Sequence, residues 1–170
     1  VAEVIRNKNC EIVVNVQGDE PLISPVNIDL VVKPLLEGIP ESTVTLRILI
    51  KSYDNLLDRN ITKVVVNKSS SALYFSKAMI PWDRDDIIQN SSVDPLKPFW
   101  YKHIGLYAYR KNFLMEFGSL PSSSLEQIEK LEQLRILENG YNIKVVETNL
   151  DSIGVDCEED LVMIEKRLAG

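Results

Sequence analysis

Basic stripes, long apolar runs and cysteine pairs are what this sequence has least of. Its 170 residues carry 19 lysines and arginines against 25 aspartates and glutamates, a net charge of −6. No basic stripe stands out from that balance, which argues against a nucleic-acid groove. An acidic chain that handles an anionic substrate must do so with local cations, from Arg, Lys or a metal. No run of about 18 apolar residues occurs, so no membrane-spanning helix is expected. The opening residues carry no signal-peptide pattern. The two cysteines, Cys10 and Cys157, permit one disulfide at most. That excludes a disulfide scaffold and suits a reducing compartment. No repeat, low-complexity tract or linker is visible, and there is no initiator methionine. Val1-Ala2-Glu3-Val4-Ile5-Arg6 reads as the middle of a helix with no cap ahead of it. The expectation is a chain whose front has been removed.

What is present is a globular composition, 45% hydrophobic and 26% charged, at a length that suits one domain over residues 1–170. The most informative stretch is Val13-Val14-Asn15-Val16-Gln17-Gly18-Asp19-Glu20-Pro21-Leu22. A β-branched run stops at Gln-Gly, and two carboxylates and a proline follow. This reads as a central strand over 11–16, ending at a turn that points an acid into a crevice. In open α/β sheets ligands bind outside the carboxyl ends of strands. An aspartate there commonly holds a hard cation against phosphate oxygens.

Further along, Ser24 should cap a helix with Pro25 at its first position, running to about residue 37 and bent or ended early by Pro34. Strands are expected over 43–50, 62–66, 72–76, 101–110 and 142–148, with a short helix or turn over 52–58. Residues 80–98 read as a loop. A short helix should end near Phe117-Gly118. Ser124, with Gln127 at capping-box spacing, should start one continuous helix that ends at Asn139-Gly140. A strand end over 153–156 and a final helix over 158–168 complete the chain. The irregular interleaving predicts an α/β fold with a mixed sheet rather than a strict βαβ repeat.

Three groups of residues could carry chemistry. Asp19 and Asp156 each follow an apolar strand and a glycine, and each precedes an acidic helix start. Together they could share one Mg²⁺; equally, each could cap the helix after it. Arg84, Lys102 and His103 form a second group. Arg84 could grip a carboxylate with paired hydrogen bonds. His103 could bind a sugar hydroxyl, act as a base near neutral pH, or be a half-buried strand histidine with a backbone partner. By the two-residue period His103, Gly105, Tyr107 and Tyr109 share one face, which suits a sugar pocket and also a plain sheet face. Third, Glu132 should project between Leu125 and Ile128 on the apolar side of its helix, where a carboxylate needs a partner such as Arg135. Gln133 lies beside it. Ser76-Lys77 could touch substrate or simply end a strand.

Taken together the segments resemble the 3-deoxy-manno-octulosonate cytidylyltransferase (CMP-Kdo synthetase) family. The segments are Val14-Asn15-Val16-Gln17-Gly18-Asp19-Glu20-Pro21, Ala72-Leu73-Tyr74-Phe75-Ser76, Ile80-Pro81-Trp82-Asp83-Arg84-Asp85 and Lys102-His103-Ile104-Gly105-Leu106-Tyr107. Leu125-Glu126-Gln127-Ile128-Glu129, Leu131-Glu132-Gln133-Leu134-Arg135 and Gly154-Val155-Asp156 follow in the family's order. The resemblance implies a nucleotide-diphospho-sugar transferase (Rossmann-like) fold, with a mixed, mostly parallel sheet and flanking helices. It implies transfer of a cytidylyl group from CTP to Kdo, with Mg²⁺ as cofactor, in a cytoplasmic homodimer serving lipopolysaccharide synthesis. It casts Asp19 and Asp156 as Mg²⁺ ligands and catalytic residues, and Gln17 as a neighbour of the nucleotide. Arg84, His103, Tyr107, Glu132 and Gln133 would line the sugar-acid pocket.

The chain departs from the family pattern at its front. The family's first βα units and its Arg-, Gly- and Lys-rich triphosphate loop are missing, so this would be the C-terminal portion of a cytidylyltransferase domain. Little or no activity is expected of this polypeptide alone. Lys77 stands where Arg is usual, Cys157 where Thr is usual and Ser70 where a turn glycine is usual. Two alternatives stand beside the Kdo reading. One is a transferase for a related sugar acid, 8-amino-Kdo or sialic acid. The other is an inactive sugar-binding or dimerisation fragment.

Overall fold

The computed structural model describes residues 1–18, 20–84, 99–152, 154 and 165. Six strands form one mixed sheet: β1 (Ile12–Asn15), β2 (Thr43–Leu49), β3 (Lys63–Val66), β4 (Ala72–Ser76), β5 (Tyr101–Arg110) and β6 (Lys144–Glu147). The order is β4-β3-β5-β2-β6, with β1 also on β5. β5 runs antiparallel to β1, β2 and β3, and β3 antiparallel to β4, while β2 and β6 are parallel. Thus β1, β2, β3 and β6 point one way and β4 and β5 the other. The parallel character expected of the sheet lies in strand direction; among the described pairings only β2–β6 is a parallel contact.

One edge of β5 serves two partners in turn. Asn15 of β1 faces Tyr107, and Lys63 of β3 faces Lys102. Between these points the chain leaves β1 through Gln17 and Gly18. The other edge carries β2, whose register jumps between Thr45, opposite Tyr107, and Leu46, opposite Ile104. Gly105 and Leu106 therefore form a bulge.

The sheet has an apolar layer on each face. Helix α2 (Pro25–Leu36) starts where Ser24 accepts a hydrogen bond from the Val26 amide at 3.3 Å. Asn27, Val31 and Leu35 recur every four residues and are buried. The last two pack on Val44, Leu46, Ile104, Leu106 and Ala108. Pro34 does not end the helix, which runs to Leu36. Its carbonyl accepts from the Ile39 amide at 3.3 Å across Gly38, whose φ is +82°. The opposite face carries Tyr107, Tyr109, Phe75 and Val145, covered by α1 (Ala2–Ile5), α4 (Lys111–Phe117) and α6 (Leu134–Glu138). A small third cluster joins Leu56 of α3 (Tyr53–Leu57) to Ile50 and Trp100.

Lys63 is buried, and its Nζ donates to the carbonyls of Asp58, Ile61 and Lys77 at 2.6–2.8 Å. Burial lowers its pKa. The helix expected from Ser124 differs most from expectation. Its cap is Ser123, with Glu126 closing the capping box, and α5 (Ser124–Glu129) ends at Lys130 in the left-handed region, φ +57°. A separate α6 then carries the chain to Asn139. No helix among the described residues is long and apolar enough to cross a membrane.

Candidate active site

β5 is the platform of the site. His103, Tyr107 and Tyr109 lie on one face as the alternation predicts, with ring centroids 5.4 Å apart for the first pair and 5.6 Å for the second. Phe75 meets the His103 ring edge-on at 5.0 Å. Gly105 is the gap in this row. A Cβ built there would stand 3.6 Å from Gln17 Cγ, so Gln17 lies over it. The strand-end glutamine and the polar-aromatic row, 86 positions apart from Gln17 to His103, are thereby one site.

His103 is buried, and its partner is a side chain on the neighbouring strand rather than the backbone. Its Nε2 stands 2.9 Å from Thr45 Oγ1. Burial, with Lys102 alongside, pushes its pKa down to about 3. It stays neutral across the physiological range, and a group that takes a proton only near pH 3 makes a poor base at neutral pH. The base reading is therefore set aside. The imidazole is a hydrogen-bonding group.

Tyr107 is 6% exposed, and its hydroxyl makes no well-formed hydrogen bond among the described residues. Burial, foremost, pushes the phenol well above its ordinary pKa, and Tyr109 and Glu132 add to this; the Thr45 hydroxyl lies near enough to pull the other way, but its proton is held by the Ile104 and Leu106 carbonyls, which leaves the phenol without a well-formed bond. A buried, unpartnered hydroxyl is costly to keep, and a ligand atom that completes it is the economical explanation.

Glu132 reaches the site by a different route from the one expected for it and Gln133. They do not sit on the apolar side of a continuous helix. The left-handed turn at Lys130 breaks it, Glu132 is exposed and Ile128 is 77% exposed. Arg135 pairs with Glu126 instead, its Nε donating at 2.8 Å and its Nη2 making a second contact. The break places Glu132 close enough to Tyr107 and Tyr109 to raise both phenols. Gln133 is buried beside it.

Arg84 is exposed and lines a separate hollow of about 310 Å³ with Pro81, Trp82, Asp83, Phe99 and Trp100. None of these belongs to the His103–Tyr107 row. Lys102, on the other face of β5 from His103, donates to Asp151 Oδ1 and the Ser152 carbonyl, both at 2.9 Å. Ser76 ends β4 and donates to Glu129 at 2.7 Å, which answers for its structural role.

Asp19 and Asp156 lie outside the described residues, as do Cys157 and the final helix. Their neighbours in sequence are described and meet: Ser152 Oγ donates to Glu20. The turn after β1 and the segment leading to Gly154 are therefore joined. Among the described residues no three His, Cys, Asp or Glu side chains cluster as a metal site.

Sequence reasoning missed Thr45, Glu20 and Ser152. Thr45 sits in an ordinary strand and nothing local marks it. Glu20 was read only as part of an acidic turn.

Comparison with known proteins agrees with this geometry. The cytidylyltransferase family model matches residues 1–147. The 3-deoxy-manno-octulosonate cytidylyltransferase of Syntrophotalea carbinolica is 48% identical over 170 residues, covering 100% of this chain and 68% of that protein. The protein of the same name from Solibacter usitatus is 46% identical, covering 98% of this chain and 63% of its own length. The chain thus spans about two thirds of the length of such relatives. A solved CMP:2-keto-3-deoxy-manno-octonic acid synthetase complexed with CTP superposes with a TM-score of 0.86 at 34% identity, over 99% of this chain and 66% of that one. A 4-diphosphocytidyl-2C-methyl-D-erythritol synthase from Anaerococcus prevotii, at 12% identity and a TM-score of 0.55, shares the fold. A nucleotidyltransferase sheet with a polar-aromatic row on β5, and relatives at this level of identity, together establish that the chain belongs to the 3-deoxy-manno-octulosonate cytidylyltransferase family.

Proposed function

We propose that this chain supplies the sugar-acid side of a cytidylyl-transfer site that joins CTP to the 2-hydroxyl of Kdo and releases pyrophosphate. The carrying observation is the buried Tyr107 hydroxyl, without a well-formed bond among the described residues, in a row with neutral His103, near Glu132 and flanked by Gln17 over Gly105. Such a set offers donors and acceptors against a stacked apolar wall, which is how polyhydroxylated ligands are held. The family pattern assigns Arg84, from its separate hollow, to the sugar carboxylate and Gln17 to the side of the nucleotide.

In the reaction the 2-hydroxyl oxygen forms a bond to the α-phosphorus of CTP as the bond to pyrophosphate breaks, and the hydroxyl proton passes to solvent. With His103 unsuited to be a base at neutral pH, what these residues contribute is orientation and electrostatics. Asp19 and Asp156 would hold Mg²⁺, and their hard oxygen donors suit it. Support for bringing them together is the Glu20–Ser152 bond between their chain segments. When bound, the ion supplies charge neutralisation on the phosphates. A cytoplasmic homodimer serving lipopolysaccharide synthesis fits a reaction that consumes CTP.

The test is pyrophosphate release from CTP, Kdo and Mg²⁺ by the protein that carries this sequence at full length, with 8-amino-Kdo and sialic acid as competing acceptors. Kdo should be preferred, and Asp19→Asn and Asp156→Asn should each lose nearly all turnover. Pyrophosphate release with none of these acids would overturn the reaction. Wild-type rates in both variants would overturn the metal assignment alone.

A further inference from the structure

We propose that Thr45 is a positioning residue for His103: it fixes the imidazole as the tautomer protonated at Nε2, so that Nδ1 is the acceptor presented to a hydroxyl of the sugar acid. The sugar part of this inference rests on the function proposed above; the tautomer does not.

A threonine hydroxyl has one proton to donate and two lone pairs. Thr45 Oγ1 is 2.9 Å from the Leu106 carbonyl oxygen, 3.2 Å from that of Ile104 and 2.9 Å from His103 Nε2. The two carbonyls lie on either side of Gly105, in the bulge where β2 and β5 slip register. Carbonyl oxygens can only accept. The hydroxyl proton therefore belongs to the bulge, and Nε2 must be the donor in its own contact with Oγ1. An imidazole with both nitrogens protonated is ruled out at neutral pH, because burial holds His103 neutral. Nδ1 then carries the lone pair, and it has no hydrogen-bond partner among the described residues.

The bulge thus acts through Thr45. Without it the two carbonyls would have no claim on the hydroxyl proton, and Thr45 could donate to a bare Nε2 as readily as accept from a protonated one. Fixing the tautomer through the bond made by the other ring nitrogen is a general way to aim a histidine.

The sequence contains one histidine, so its imidazole nitrogens are assigned without mutagenesis. Long-range proton–nitrogen spectra of untagged, nitrogen-15-labelled protein near pH 7 should show a protonated Nε2 and an unprotonated Nδ1. Thr45→Ser should keep that pattern, and Thr45→Val should mix the two tautomers while the circular dichroism spectrum stays native. A proton on Nδ1 in the wild-type protein would overturn the assignment, whether or not any variant folds. So would an unchanged tautomer in a folded Thr45→Val. Adding Kdo should shift the Nδ1 resonance. In the full-length protein, Thr45→Val should raise KM for Kdo by about tenfold with kcat less affected, the size of one lost hydrogen bond, and Thr45→Ser should restore it. An expected free-state tautomer with no response to Kdo would overturn the sugar reading and leave the role of Thr45 in setting the tautomer supported.

Discussion

Tyr107→Phe separates stability from function with opposite signs. The phenol ring stacks on Tyr109 with centroids 5.6 Å apart and leans on His103 at 5.4 Å, contacts that phenylalanine keeps without opening a cavity. Only the hydroxyl is lost, and it makes no well-formed hydrogen bond among the described residues. Leaving such a group buried costs about 1–3 kcal/mol, so its removal should stabilise by about 1–2 kcal/mol once the lost solvation of the ring is counted. For a chain of this size that is a rise in melting temperature of about 2–6 °C. If the hydroxyl serves Kdo, the same variant loses one neutral hydrogen bond to ligand, and KM for Kdo should rise by up to about tenfold. Thermal unfolding followed by circular dichroism at pH 7 reads the first effect, and pyrophosphate release over a Kdo titration reads the second. A melting temperature lowered by several degrees would mean that the hydroxyl has a native partner. Unchanged Kdo dependence would mean that it has no ligand.

Two further outcomes follow from the polar groups that brace the fold. Lys63→Met should destabilise by about 3 kcal/mol or more in urea unfolding, because three carbonyls lose their only charged donor and methionine satisfies none of them; a loss below about 1 kcal/mol would mean that water replaces the ammonium. Glu126 has its pKa pushed down to about 2, first by its hydrogen bonds to Arg135 and then by those from Ser123 and Ser122. Its folded value is below its unfolded one, near 4.3, so the stabilisation is full above that unfolded value and is lost as pH falls towards about 2. Glu126→Gln should therefore be less stable than wild type at pH 7, with the gap closing through that acid window; a gap independent of pH would refute the charged pairing.

What the sequence disclosed and what it hid divide along physical lines. β5 is legible from Tyr101 to Arg110 because its length and β-branched and aromatic content leave little choice of element. The Ser24-Pro25 start of α2 is equally legible, since capping chemistry acts over three or four residues. The break at Lys130 was not. Lysine has no special tolerance for a positive φ, so only tertiary packing could place it there. The capping error has a similar origin: Ser122, Ser123 and Ser124 can each cap, and Glu126 and Gln127 can each close a box. Lys63 looks like any strand lysine, and its burial depends on three carbonyls from two separate loops. In the site, His103, Gly105 and Tyr107 came from strand period, whereas their contacts with Gln17 and Thr45 are long-range pairings that no local pattern encodes.

The shared edge of β5 makes the sheet modular at the point where it matters. A splice in a rope lets either length be slackened without undoing the other. β1 holds its place through the ladder at residues 107–110 and through the Lys111 amide bonded to Glu11, whereas the β3–β4 hairpin is clipped separately by the His103 amide on Thr62. Slack in the first leaves the second taut. The backbone that bears Gln17 leaves the sheet at the splice, so a change confined to that turn spares the ladders on either side of it.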